Sequence, residues 1–189
     1  LSTAYLGETF DIHGGGQDLI FPHHENEIAQ SEASTNKPFA KYWIHFGFLN
    51  INKEKMSKSL GNFFTAREVL EKFSPEAIRL FFLQAYYRGP LDFTDELLAA
   101  AEKGLEKIKN LQDTVTNELK KNNQNGKTPE FDFDDFEQRF NKVMDDDFNT
   151  AQALGHLYSL TRTLNAVIHA PAQGDDSGFS RELADEAAK

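Results

Sequence analysis

Residues Phe10 to Glu27 read FDIHGGGQDLIFPHHENE, and how this stretch is read decides the fold. Thr9-Phe10-Asp11-Ile12 favours a strand and runs into Gly14-Gly15-Gly16, where the backbone is expected to turn and can approach a ligand closely. Pro22 stands where a first helical residue is tolerated, and His23 to Glu32 is expected to continue as a helix. Polar groups then fall at the carboxyl end of a strand and the amino end of a helix. In open α/β sheets that is where ligands bind.

Outward from this motif, the first sixty or so residues carry a mixed α/β pattern. Tyr42 to Leu49 alternates Ile44, Phe46 and Phe48 with His45 and Gly47, the period of a strand. Asn50 to Ser59 is polar and rich in lysine, a loop by composition, closed by Gly61-Asn62. Thr65 with Glu68 reads as a capping box ahead of Val69, Leu70 and Phe73. Ser74-Pro75-Glu76 caps a second helix whose expected buried side is Ile78, Leu80, Phe81, Phe82 and Leu83. Beyond Gly89-Pro90 a long helix carries Leu97, Ala101, Leu105, Ile108, Leu111, Val115 and Leu119 at helical spacing. Asn122 to Pro129 is a solvated linker. Two further helices follow, one with Phe133, Phe136, Phe140, Val143 and Met144, the other with Leu154, Leu157, Leu160, Leu164, Val167 and Ile168. A second linker, Ala170 to Gly178, precedes a helix start at Ser180. The expectation is α/β over 1–64, a connecting helical region over 65–93 and an antiparallel helix bundle over 94–189.

Composition narrows the class. The 189 residues, 39% hydrophobic with 17 phenylalanines, suffice for one core or two small ones. A net charge of −10 argues against a general polyanion-binding surface, so any nucleic acid must meet local Lys and Arg patches. No apolar run is long enough to span a membrane, no leader pattern is present, and the absence of cysteine points to a cytoplasmic protein without disulfides. Leu1 opens almost directly onto the strand-and-glycine motif, as in a piece of a longer protein.

Three groups of residues offer chemistry. His23 and Glu27 are four apart on the expected helix and share a face; His24 and Glu27, three apart, fit equally, and spacing does not choose between them. Imidazole with carboxylate suits zinc, although two ligands are half a site and capping groups are the plainer reading. His13-Gly14-Gly15-Gly16-Gln17-Asp18 suits a nucleotide, with backbone N–H groups or imidazole facing phosphate and Asp18 accepting from a ribose or amine. Lys55 and Lys58, in KEKMSKS at 53–59, can follow the charge that develops on a triphosphate as pyrophosphate leaves, on a loop that also gates.

Lys55 to Ser59 reads KMSKS, the signature of class I aminoacyl-tRNA synthetases, and FDIHGGGQDLIFPHHENEIAQSEA resembles the cysteinyl-tRNA synthetases in particular. MDDDFNTAQAL, from Met144 to Leu154, resembles the helical domain after their catalytic core. The resemblance implies the second part of a Rossmann-like catalytic domain followed by a tRNA-binding helix bundle. It implies a ligase that joins L-cysteine to tRNA(Cys) through cysteinyl-adenylate, using ATP with Mg2+ and a Zn2+ ion. By position, His23 and Glu27 match zinc ligands of the family. His13, Gly14, Gly15 and Asp18 match its adenylate pocket, and Lys55 and Lys58 its mobile loop. The family's HIGH motif and its two cysteine zinc ligands are absent and are expected ahead of Leu1. The rival readings are the cysteine:glucosaminyl-inositol ligase of mycothiol synthesis, which shares a KMSKS-type loop, and a non-catalytic tRNA-binding fragment.

Overall fold

The computed structural model describes residues 2–51, 54–55, 64–121 and 131–168. They form two units, one of residues up to Phe64 together with Tyr87–Thr94, the other of Thr65–Tyr86 with the residues from Asp95 onward.

In the first unit, helix α1 (Ser2–Leu6) precedes β1 (Phe10–Gly16), α2 (Glu25–Thr35) and β2 (Ala40–Phe46). β1 and β2 pair in parallel, Phe10 opposite Ala40 and Gly16 opposite Phe46, with α2 in the crossover. The glycine triplet is therefore not the turn expected from the sequence. It forms the last three residues of β1, and the reason is space and not backbone freedom. A Cβ on Gly14 would come within 2.6 Å of the Ile44 carbonyl oxygen, and one on Gly15 within 2.8 Å of Leu19 and 3.1 Å of the His24 ring.

The chain leaves β1 through a 3-10 turn, Gln17–Leu19, and a wider helical turn, Ile20–His24. Phe21 is extended (φ −129°, ψ 131°), the Phe21–Pro22 peptide is cis, and regular α-helix begins at Glu25 instead of His23. The helix ends at Asn36, whose left-handed backbone (φ 54°) donates to the Glu32 carbonyl.

The strand expected over Tyr42–Leu49 breaks at Gly47-Phe48. Beyond it, the expected loop contains β3 (Leu49–Ile51) and β4 (Glu54–Lys55), an antiparallel pair. β5 (Leu91–Asp92) adds to β3 in parallel, giving the order β4-β3-β5. That pairing draws Tyr87–Thr94 into the first unit, so residues 65–93 are not one connecting region. Most of the lysine-rich loop, Lys58 included, lies outside the described residues, as do 122–130 and 169–189.

The second unit is helical. Thr65 accepts from the Glu68 N–H at 3.3 Å while Glu68 accepts from the Thr65 N–H at 2.6 Å, closing the capping box that starts α3 (Ala66–Leu70). Ser74 caps α4 (Pro75–Leu83), with Pro75 in its first turn. The long helix α5 (Asp95–Lys121) packs on α4 and on α7 (Thr150–Ile168), and α7 also packs on α6 (Phe133–Asp145). The core holds Ala77, Leu80, Phe81, Leu98, Ala101, Leu111, Val115, Val143, Ala153 and Leu164. Two expected assignments shift: Leu98 is fully buried where Leu97 is 45% exposed, and Phe82 and Leu83, each 46% exposed, leave the inner face of α4 to Ala77, Leu80 and Phe81. In the MDDDFNT stretch, Asp147 and Phe148 take left-handed φ of 53° and 55°, and the Asn149 side chain then caps α7 by accepting from the Gln152 N–H.

Candidate nucleotide and metal site

The parallel register decides which side chains meet. Opposite His13 on β1 stands Trp43 on β2, and opposite Gly15 stands His45. Residues alternate faces along a strand, so His13, Gly15, Trp43 and His45 share one face. His24, buried at the turn before α2, lays its ring over Gly15 and reaches His45, with Nδ1 of His24 and Nε2 of His45 2.8 Å apart. His24 lies 5.1 Å from both His13 and Trp43, centroid to centroid, and Trp43 stacks on His45 at an interplanar angle of 13°. In the first turn of α2, Glu27 places Oε2 at 2.7 Å from Nε2 of His13. Phe10 and Phe39 close the box edge-on to His13.

Electrostatics fix the protonation of one member. Burial lowers the pKa of His45 below its ordinary 6.5, and repulsion from His24, Arg88 and His13 adds to the effect. At neutral pH His45 is an uncharged imidazole and can accept from its neighbour. In the tautomer in which His24 donates through Nδ1, its Nε2 keeps the lone pair that a metal requires.

Among the described residues, His13, His24 and Glu27 form a potential metal-binding group, each offering one ligand atom, all within 4.8 Å of one another. Two imidazoles and a carboxylate, with one imidazole oriented by a second residue behind it, are a donor set of the kind zinc takes. His23, the residue matched by position to a ligand, is exposed and stands outside this group. The other sequence candidates scatter. Gly14 and Gly15 provide close approach inside the strand, and Asp18 is exposed in the turn after β1. Lys55 ends β4, and Lys58 lies outside the described residues. Trp43 and His45 were not singled out in the sequence. Their signal was an aromatic and an imidazole two residues apart on the second strand, legible only once the register with His13 and Gly15 is known.

Residues 1–103 match the family model described as the tRNA synthetases class I (C) catalytic domain. The chain belongs to the cysteinyl class I tRNA synthetase family. Residues 139–189 match the DALR domain, which in the described residues covers the end of α6 and α7. A cysteine–tRNA ligase of Geobacter metallireducens is 55% identical, covering 99% of this chain and 39% of that protein; one of Caldicellulosiruptor saccharolyticus is 52% identical over 87% of this chain and 36% of its own length. The chain thus spans about two-fifths of the cysteinyl synthetases it matches. Among solved structures, a ternary complex of Agrobacterium radiobacter K84 agnB2 LeuRS, tRNA and LeuAMS superposes with a TM-score of 0.70 at 19% identity, covering 95% of this chain and 24% of that one. Mycobacterium tuberculosis methionyl-tRNA synthetase with methionyl-adenylate gives 0.67 at 18% identity, covering 95% and 38%. At such identities the likeness is one of fold, a class I synthetase catalytic part followed by a helical domain.

Proposed function

We propose that this chain is the part of a cysteine–tRNA ligase that joins the second portion of the catalytic domain to the DALR helices. The observation that carries the reading is the 55% identity to a protein of that name along 99% of the chain. The reaction is ATP-dependent. The carboxylate of L-cysteine attacks the α-phosphate of ATP, giving cysteinyl-adenylate and pyrophosphate. The cysteinyl group then passes to the terminal adenosine of tRNA(Cys), releasing AMP. Mg2+ accompanies the ATP, and the compartment is the cytoplasm.

The residues take roles their chemistry supports. Gly14 and Gly15 match the adenylate pocket by position and let Ile44, Leu19 and His24 close on the end of β1, and His13 and Asp18 offer an imidazole and a carboxylate to the adenylate. Lys55 and Lys58 meet phosphate charge that grows as the α–β bond breaks, which makes them groups of the transition state. Glu27 is common to both zinc donor sets, the pair with His23 matched by position and the group with His13 and His24 brought together in space. A zinc ion held there supplies a preference for thiolate sulfur over a hydroxyl, selecting cysteine against serine. Discrimination of this kind reaches roughly four to five orders of magnitude without editing, as for other sites built around one polar group.

The test is ATP–pyrophosphate exchange by the complete ligase with cysteine or serine, followed by transfer with tRNA(Cys) or glucosaminyl-inositol as the acceptor. Exchange that depends on cysteine, followed by charging of tRNA(Cys) and not of the amino-sugar, is the expected result. Transfer to the amino-sugar would replace this reading with the mycothiol ligase.

A further inference from the structure

The turn that carries Asp18 has a close neighbour on one side and a long-range hydrogen bond on the other. Asp18 follows Gln17 in the 3-10 turn Gln17–Leu19. On one side its Oδ1 lies against Gly16, where a Cβ would come within 2.5 Å of it. On the other, Gln17 Nε2 donates to the Arg88 carbonyl at 2.8 Å, across 71 positions of sequence.

The acceptor is held in place. Arg88 belongs to Tyr87–Thr94, the segment that rejoins the first unit. Along that segment the Tyr87 carbonyl accepts from the Gly47 N–H at 2.8 Å, the Leu91 N–H donates to Phe48 at 2.9 Å and the Phe93 N–H to Asn50 at 2.8 Å. The Phe46 and Tyr87 rings meet edge to face at 5.7 Å, and a Cβ on Gly47 would overlap the Gly89 carbonyl. The strand braced in this way, β3, pairs with β4, which ends at Lys55. One segment thus anchors both the Asp18 turn and the strand that pairs with β4.

We propose that Gln17 is a positioning residue for the nucleotide: its bond to the Arg88 carbonyl sets the place of the Asp18 turn. This rests on the functional reading above and deepens it by naming what fixes one wall of the ATP subsite. A carboxylate meant to meet a ribose hydroxyl or an amine loses its value if the turn under it wanders by an ångström. The partner at Arg88 is a carbonyl oxygen, so only a donating side chain of sufficient reach can hold the turn. Gln17→Glu keeps the size and sets acceptor against acceptor, whereas Gln17→Lys keeps a donor.

Two measurements decide it. In the complete ligase, Gln17→Glu should raise KM for ATP in pyrophosphate exchange about five- to tenfold, the worth of one hydrogen bond, with KM for cysteine within about twofold and Tm unchanged. Gln17→Lys should recover most of the loss. An ATP KM within about twofold of the unsubstituted enzyme would overturn the proposal, as would ATP and cysteine constants rising together, or no recovery with lysine. Amide hydrogen exchange in the complete ligase supplies the second readout. Gln17→Glu should speed exchange across residues 17–24 about five- to tenfold while leaving α5 and α7 unchanged, and unaltered exchange would overturn the proposal. An unsubstituted ligase without cysteine-dependent activity would count against the functional reading alone, and amide exchange then decides the tether.

Discussion

Gly14, Gly15 and Gly47 in the β unit each face an atom that a Cβ would strike, backbone carbonyls for Gly14 and Gly47, the Leu19 and His24 side chains for Gly15. Gly155, in α7 of the helical unit, faces nothing within 4 Å. Gly104 in α5 lies between these cases, because the atom it would meet is the hydroxyl end of Tyr158, a movable side chain. The first unit draws strands and turns together by omitting side chains, and the space so made receives the ring of His24. The second is filled with aliphatic groups such as Leu98, Leu164 and Val115. A packed interior resists added volume where backbone meets backbone, and loses stability with removed volume where side chains fill it. The first unit is therefore specified by shape at single atoms, the second by volume along helix faces.

Substitutions of opposite sense test that contrast. Leu98→Ala, which empties a fully buried position in α5, should cost about 2 to 5 kcal/mol in urea unfolding. Leu97→Ala beside it, 45% exposed, should cost below about 1 kcal/mol. Equal midpoints for the two would dissolve the helical core as assigned. Gly47→Ala adds one methyl where the Gly89 carbonyl stands and should cost about 1 to 3 kcal/mol. A neutral Gly47→Ala would show that the segments part easily and would blur the contrast. Gly155→Ala should instead stabilise by about 0.5 to 1 kcal/mol, since the helix gains propensity and nothing is struck.

The capping box gives a pH dependence in the second unit. Hydrogen bonds from the Thr65 backbone and then its hydroxyl hold the Glu68 carboxyl below its ordinary 4.5. A carboxyl lowered in the folded state contributes stability that is present above the unfolded value and is lost as the pH falls through the folded one. Glu68→Gln should therefore flatten the acid limb of helix unfolding below about pH 4.5, read by circular dichroism. An unchanged acid limb would mean that the box does not govern the end of α3.

What could be read from the sequence follows the range of the interactions. Thr65 with Glu68 and Ser74 with Pro75 were legible because a cap is settled within four residues. The helical faces were legible in period but not in phase: Leu97 and Leu98 both suit α5, and only the packing of α4 and α7 against it selects Leu98. β5 has two residues and pairs with a strand some forty positions earlier, so no local pattern announces it. A glycine triplet allows a turn, and that is all its local sequence announces. Its use here is close approach, which depends on Ile44, Leu19 and His24 arriving from elsewhere. The same holds for the site. His13 and Glu27 are 14 positions apart and His24 and His45 are 21, so the cluster exists only through the β1–β2 register and the turn between them.

Glu27 is the one residue shared by the ligand pair matched by position and by the group assembled in space, so it bears the most direct test. In the complete ligase, Glu27→Gln keeps the shape and removes the charge. Zinc content and the ratio of cysteine to serine in ATP–pyrophosphate exchange are measured together on the variant and the unsubstituted enzyme. Loss of bound zinc, with a fall of about 100-fold or more in kcat/KM for cysteine and a collapse of the preference over serine, is the predicted result. Full zinc occupancy with cysteine selectivity intact would contradict the account.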